Sequence, residues 1–492
     1  MINLCQSMNP EVKTPSLGLA LLPFAALITM LAFVIVLFKD SALNGASQIV
    51  LLIATALCSS IAVFGCRVHW ETIERQIANN IFSIAPSILI LLLIGMLAGS
   101  WMISGIVPTL IYYGLQVMQT DLFLAACCAL CAVVSVMTGS SWTTIATIGI
   151  ALIGIGQAQG FSSPWVAGAI ISGAYFGDKM SPLSDTTVLA ASVTGTPLFS
   201  HIRYMLYTTV PSMTIALVVF AIAGFSRERV DSTQIMAFSD ALRGSFNLSP
   251  WLLIVPLFSG FLIAKRVSST IVLFLSSLLA GLFALFFQPD ILLAVAGDDV
   301  SGIMAYLKGL IITFYDHTQI ETGYEPLNEL VATRGMSGMM NTIWLIICAM
   351  CFGGAMSASG MLGRISDVFL KFMKGRASMV TSTVVSGLML NACTADQFIA
   401  IILNSEMFKK AYEEKGYESR LLSRTTEDSV TVTSVLIPWT TCGMTQSTIL
   451  GISTWAYLPY CVFNIACPCM SILLSIIGYK IYKRETATSS AN

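Results

Sequence analysis

Residues 17 to 38, LGLALLPFAALITMLAFVIVLF, run for 22 positions without a single charge. At about 1.5 Å of rise per helical residue, such a run crosses a hydrocarbon core of about 30 Å. Similar runs recur to the end of the chain. None shows the period-2 alternation of barrel strands, and only helices or closed barrels satisfy their own backbone groups in lipid. The chain therefore reads as an all-α polytopic membrane protein whose first partner is the lipid bilayer. Its 10% of charged residues agree, because a soluble domain carries about 25% and needs that polar surface on all sides. The net charge of −1 identifies no partner, and no nucleic-acid partner is expected. The N-terminal MINLCQSMNPEVKTPS has one lysine and no small-residue cleavage pattern, so a retained first helix is expected. Most of the 13 cysteines lie within apolar runs, where cysteine serves as a small packing residue. The CxxC spacings at 128/131 and 348/351 have none of the three histidines nearby and make no zinc site.

Several apolar pieces are too short to span, and these cluster at 121 to 196 and 378 to 453. The two regions correspond. A long apolar helix, an amphipathic stretch, an apolar run and a polar interruption follow one another in each, the interruption being TGSS at 138 to 141 and NACTAD at 391 to 396. An acidic segment follows, Gly177-Asp178 in one half and Glu427-Asp428 in the other. Gly105 and Gly360 are 255 apart and Asp178 and Asp428 are 250 apart, which argues for an internal duplication. Paired, interrupted hydrophobic segments are the mark of secondary transporters, whose sites form at broken helices near the midplane. The expected layout is N-terminal membrane helices over 1–80, a first repeat over 81–225, linking helices and a long polar loop over 226–340, a second repeat over 341–478 and a polar tail over 479–492. Inversion of the two repeats is the expected relation. Lys480, Lys483 and Arg484 favour a cytoplasmic C-terminus, and the acidic loop at 288 to 340 suits the outer side.

The stretch GDKMSPLSDTT, Gly177 to Thr187, puts two carboxylates and an ammonium inside one of the most apolar regions. Each charge at the bilayer centre costs about 2.5 to 3.5 kcal/mol, so these residues are candidates for function. Pro182 lacks an amide hydrogen and clashes with the preceding turn, which breaks a helix near Ser181. Ser184 or Asp185 can cap a restarted helix. Freed carbonyls, the hydroxyls of Ser181, Ser184 and Thr186, and the carboxylates of Asp178 and Asp185 form the hard oxygen set that suits Na⁺, and the acids also suit protons. A carboxylate removed from bulk water holds its proton more tightly, so Na⁺ and H⁺ compete for one site. Lys179 either stabilises the adjacent anion or itself titrates; the alternative for all three charges is a solvated loop at the membrane surface.

TGSSWTT looks like the tip of a re-entrant hairpin, with Thr138, Ser140 and Ser141 able to face an ion; a plain small-residue helix contact is the alternative. The matching tip supplies Asn391, Thr394 and Asp396, a third acid for a Na⁺ site with Asp178 and Asp185. Beyond it, Glu427 and Asp428 are proton-coupling candidates, Arg424 is a charge partner for one of them, and Thr431, Ser434 and Thr440 extend a hydroxyl row. The second helix break lies at 431 to 434 or at 438 to 441. No P-loop, HExxH or GxSxG is present, so neither an ATP-driven pump nor a membrane hydrolase is supported.

FGDKMSPLSDTT (Phe176 to Thr187) resembles the signature of the NhaC-type Na⁺/H⁺ antiporters, and TGSSWTT, TADQFIAIIL and RTTEDSVTVTSVLIPWTTCG are similar to its other recurrent segments. The resemblance runs from about residue 20 to residue 478. It implies two inverted repeats, each with a re-entrant helical hairpin and a discontinuous transmembrane helix, divided into scaffold and transport parts. It further implies a homodimer in the inner cell membrane, no cofactor, and Na⁺ and H⁺ as transported ions. The same relatedness includes carriers of small organic anions such as malate and lactate, and of amino acids. Lys179 stands where a neutral residue is expected, and TGSSW where TGTSW is usual.

Overall fold

A computed structural model describes residues 13–38, 45–117, 121–225 and 232–483. Arg484 and the rest of the tail beyond Lys483 lie outside them, as does the segment before Lys13. Eight helices among the described residues are long and apolar enough to cross a membrane, and up to ten if two bent pairs each count as one span. The first is Leu17–Phe38. Among the described residues, the regular structure apart from helix consists of two isolated backbone bridges, Thr318 with Thr333 and Tyr417 with Lys483. Many large apolar side chains face outward, including Phe286, Val218 and Phe274, as a lipid-facing surface requires.

The region expected as a long polar loop is mostly helical, with Pro289–Ala296, Ile303–Tyr315 and Glu325–Val331. Asp298, Asp299 and Glu321 sit in the connections, whereas Asp290, Glu325 and Glu329 lie within the helices themselves. In one connection Lys308 Nζ reaches Asp299 at 2.7 Å, and that hydrogen bond holds the exposed Asp299 carboxyl below its usual range.

Two hairpins and two broken helices form the centre. The first hairpin joins Phe123–Thr138 to Ser141–Ala158, and the first broken helix joins Ser163–Met180 to Asp185–Thr194. The second hairpin joins Arg376–Thr394 to Gln397–Glu414. The second broken helix runs as an α-helix over Ser419–Thr426, widens to a π turn over Glu427–Thr431, tightens to 3₁₀ over Ser434–Leu436, and restarts at Thr441–Leu450. Of the two positions expected for this break, the chain stops being helical at the later one, around Pro438. Pro438 has no amide to continue the ladder, and the Thr440 side chain caps the restart by accepting from Gly443 N at 3.1 Å.

Landmark after landmark repeats at a separation of 256 residues. Hairpin tips turn at Gly139 and Ala395, both with positive φ; broken helices begin at Ser163 and Ser419; prolines sit at Pro182 and Pro438; ten-residue half-helices start at Asp185 and Thr441 and end at the left-handed Gly195 and Gly451. Hydrogen bonds repeat too. Ser135 Oγ donates to the Ala174 carbonyl at 2.5 Å, and Asn391 Nδ2, 256 residues on, donates to the Val430 carbonyl at 2.7 Å. The Val136 carbonyl accepts from Ser181 Oγ at 2.8 Å, and the Ala392 carbonyl from Trp439 Nε1 at 2.8 Å. In lipid a freed carbonyl needs such a partner, so each hairpin supplies donors or acceptors to the break beside it.

This register corrects the pairing of Asp178 with Asp428. The position 256 beyond Asp178 is Ser434, and the position 256 before Asp428 is Ser172. Matching acid to acid shifted the alignment by six residues, whereas prolines and caps fix the backbone register. The half-helices also cross over: Asp185–Thr194 packs on Gln397–Glu414, and Thr441–Leu450 packs on Ile145–Gly149 and Ile150–Ala158. Every broken helix is thus completed by the opposite hairpin.

Candidate functional site

The first break puts Asp178 on the last turn before Ser181, with 6% of its surface exposed. Ser141 Oγ donates to its Oδ2 and Ser184 Oγ to its Oδ1, each at 2.6 Å. Ser184 holds the N-cap position of the next half-helix, yet its side chain makes no cap bond; its hydroxyl is directed to the Asp178 carboxylate. Thr186 Oγ1 lies 3.0 Å from Ser184 Oγ. Thr187 donates to the carbonyls of Asp178 and Lys179, both at 3.0 Å, which satisfies the acceptors that the break frees. Close approach is required here: an added Cβ on Gly177 would run into Ser135.

Lys179 points away from Asp178 and pairs with Asp428 of the second broken helix; both side chains are fully buried. Lys179 Nζ also lies 3.3 Å from Thr208 Oγ1 and 2.9 Å from Cys467 Sγ, and those two atoms stand 3.1 and 3.3 Å from Asp428 Oδ1. Arg424, one turn before Asp428 and fully buried, has its Nε 3.8 Å from Oδ2, an ion pair without a hydrogen bond. Its guanidinium instead stacks 4.7 Å from the Tyr204 ring centroid. The expectation that Arg424 pairs with one of the two acids therefore resolves to Asp428.

Glu427 is fully buried, and neither of its oxygens has a hydrogen-bond partner. The hydroxyls of Thr186 and Thr431 stand beside it without hydrogen-bond geometry, and Thr431 Oγ1 also lacks a partner. Asp178 is the charge that bears on it most strongly, with Lys179 acting in the opposite sense. A buried carboxylate with open lone pairs, next to hydroxyls from both halves, can hold a proton or a small cation.

The remaining residues separate into different roles. Asp396 caps the second limb of its hairpin, accepting from Phe398 N at 2.9 Å and Ile399 N at 3.0 Å, with Thr441 Oγ1 at 3.3 Å. Ser140 does the same at the first tip, accepting from Thr143 N at 3.2 Å. Thr138 and Thr394 close the two tips by donating to the carbonyls of Ser140 and Asp396. Ser434 donates to Gln397 Oε1 at 3.2 Å, the counterpart of the Ser141–Asp178 bond. Asn391 and Thr440 serve the backbone. Asp185 is exposed, at the first position of its half-helix. Among the described residues no three His, Cys, Asp or Glu side chains converge on a point, so Asp178, Asp185 and Asp396 do not share one ion. Spacing could not reveal this, because the three acids lie on three separate elements, the end of Ser163–Met180, the start of Asp185–Thr194 and the cap of Gln397–Glu414.

Thr208, Cys467, Thr187 and Asn464 were missed by sequence reasoning. Asn464 donates to the Val432 carbonyl at 2.7 Å, relieving the unwound second break, and as an amide in an apolar run it carried a usable signal. Thr208 and Cys467 carried none, since threonine and cysteine are common in membrane helices.

A cavity of about 960 Å³ does not contain this cluster. It runs from His317, Tyr324 and Arg334 past Asn341 to Met444 and Thr448 on the second half-helix. The cluster is the candidate for ion chemistry, because it holds Lys179, Arg424, Glu427, Asp428 and Asp178, whereas the cavity reaches the half-helix Thr441–Leu450, which carries none of them.

Comparison with known proteins decides the family. A model described as the Na⁺/H⁺ antiporter family matches residues 173–479, which hold both helix breaks, the second hairpin and the charges of the cluster, Asp178, Lys179, Arg424, Glu427 and Asp428. The chain belongs to the Na⁺/H⁺ antiporter family. It is 34% identical over 427 residues to the Na⁺/H⁺ antiporter NhaC of Alkalihalophilus pseudofirmus, covering 86% of this chain and 89% of that one. It is 33% identical over 424 residues to the malate-2H⁺/Na⁺-lactate antiporter of Bacillus subtilis, covering 86% and 87%. A third relative, the arginine/ornithine antiporter ArcD of Halobacterium salinarum, is 33% identical over 488 residues, covering 98% and 96%. This antiporter is accordingly a multi-pass membrane transporter, and its first hairpin lies ahead of the matched region.

Proposed function

We propose that this antiporter exchanges cytoplasmic Na⁺ for H⁺ by alternating access, with the two ions competing for the carboxylate of Glu427 while Asp178 stays charged beside it. The observation that carries the proposal is Glu427: buried, open on both oxygens, and set between hydroxyls of the two halves. Ser141 and Ser184 keep Asp178 oriented, and Thr186 and Thr431 supply neutral oxygen to a bound cation. A proton on Glu427 neutralises the same charge that Na⁺ would, so only one of them occupies the site at a time.

The 256-residue recurrence supports an internal duplication, with the exchange of half-helices between hairpins supporting an inverted pair. On this reading the hairpins re-enter the membrane from opposite faces, 81–225 and 341–478 are the repeats, and the helices around them form the scaffold. A homodimer in the inner cell membrane completes the proposal. The test is Na⁺-driven proton movement in proteoliposomes. Glu427→Gln, nearly isosteric and unable to ionise, abolishes it, and retained exchange removes Glu427 from the mechanism.

A second reading is favoured by the cavity. Some 960 Å³ with Arg334, Asn341 and Thr342 in its lining is far more space than a bare cation needs and suits a small carboxylate or amino acid. The malate-lactate and arginine/ornithine relatives give this reading its substrate classes. Uptake of labelled malate, lactate and arginine into the same proteoliposomes separates the two readings.

A further inference from the structure

Five ionisable groups are buried together at the junction of the broken helices, and two of them are cations. Asp178, Glu427 and Asp428 provide up to three negative charges; Lys179 and Arg424 provide two positive ones. Uncompensated charge in the membrane interior is expensive, so the cluster is held near neutrality in each state that crosses the barrier. The cation on Asp428 is covalently part of the chain. Lys179 Nζ, held by Asp428, Thr208 and Cys467, occupies the place that a free ion would take.

We infer that Lys179 is a tethered cation supplying one of the two positive charges that the three carboxylates require beside Arg424, so that the carrier turns over one monovalent cation against one proton. The inference rests on the exchange proposed above and fixes its stoichiometry. Asp178 and Asp428 keep their charges in both states, the first with two hydroxyl donors and the second with two cationic partners. One negative charge is left over, and it falls to the carboxylate with no partner, Glu427. Either Na⁺ or H⁺ cancels it, each loaded state carries the same net charge, and the exchange is indifferent to membrane potential.

The neighbours leave this count unchanged. On the helix Leu198–Phe225, His201 Nδ1 faces Ser423 Oγ at 2.6 Å and its Nε2 has no partner, with no carboxylate to hold a second proton. Tyr204, on that helix, and Tyr412, on the second hairpin, present phenols, and Cys467, on Val462–Ile477, a thiol. Asp396 keeps its own compensation at a helix N-terminus, and Asp185 is in contact with solvent.

The test is the reversal point of proton flux in proteoliposomes, measured with the potential clamped at zero and at an inside-negative value. For the unmodified protein a tenfold Na⁺ gradient balances a tenfold proton gradient at both potentials; a balance that moves with potential overturns the inference. Lys179→Met removes the tethered charge, so two cations load in each state; the balance stays one-for-one, and the Na⁺ dependence of the flux steepens from first order toward second. The double variant Lys179→Met/Asp428→Asn removes one charge of each sign and returns to first-order Na⁺ dependence with one-for-one, potential-independent exchange. If Lys179→Met is inactive, the unmodified protein and the double variant decide, and a potential-dependent double variant overturns the inference. A purely structural ion pair would alter yield and stability without changing the order in Na⁺, so an active Lys179→Met that stays first order overturns the inference. Absence of Na⁺-driven proton flux in the unmodified protein defeats the exchange reading itself, a result distinct from a wrong stoichiometry.

Discussion

The two broken helices solve one backbone problem in different ways. In the first, the helix stops within four residues at Ser181–Ser184, and its freed carbonyls are met by hydroxyls from the same segment and from the hairpin beside it. In the second, unwinding spreads through a π turn and a 3₁₀ turn before Pro438, and the carbonyls of Val430, Val432 and Val435 are taken by Asn391, Asn464 and the Tyr457 hydroxyl. The wider unwinding needs longer donors, because a π turn pushes its carbonyls off the helix axis. The acids differ as well. Where the first half has Asp178 beside its break the second has Ser434, and where the second has Asp396 at its tip the first has Ser140. Backbone architecture recurs between the halves while charge does not, so the recurring polar residues are architectural and the unmatched acids mark chemistry or capping.

That distinction is open to challenge, beginning where the expected effect is largest. Glu427→Gln brings Na⁺-driven proton flux to the liposome background, whereas Ser434→Asp, which copies the first-half acid into the second half, does not restore it; a dye assay of luminal pH checks both. Asp178→Asn weakens Na⁺ dependence strongly, because the amide cannot accept from both Ser141 and Ser184 and still present a charge, and the apparent Na⁺ affinity reports it.

Breaking the Lys179–Asp428 pair with either single substitution leaves an uncompensated buried charge and costs about 3–5 kcal/mol of stability. The double neutral variant recovers most of that, and thermal unfolding in detergent would show it. At the smaller end lie the caps. Asp396→Ala loses a helix cap and costs about 1 kcal/mol, while Asp396→Ser, the first-half residue, costs less, and both retain exchange. Loss of exchange in Asp396→Ser would promote Asp396 from capping to ion chemistry. Thr440→Ala has a cost of the same order, about 1 kcal/mol. By contrast Ser184→Ala scarcely affects stability and instead alters the apparent Na⁺ affinity, because its hydroxyl serves Asp178 rather than the helix.

Much of the architecture was legible along the chain. Hydropathy located the membrane helices, and Pro182 with Ser184 located the first break to within a residue, because both act through local backbone rules. The second break stayed ambiguous between two positions, since Thr431 to Thr441 offers hydroxyls at every turn and only the capping of Thr440 selects one. The acid segment at 288 to 340 hid three helices for a related reason: charge spread over helix starts and connections alike outweighs apolar pattern when read over a long window.

By itself, then, the sequence determined a membrane-embedded helical chain with paired breaks and polar tips, because span length, proline and caps are local properties. Which charge meets which was decided only by the tertiary structure. Lys179 is adjacent to Asp178 in the chain but turns to Asp428, 249 residues away, and Glu427 is adjacent to Asp428 yet is left without a partner. Neighbouring residues on a helix point about 100° apart, so adjacency along the chain separates these side chains, and only the packing of two broken helices against each other brings the right ones together.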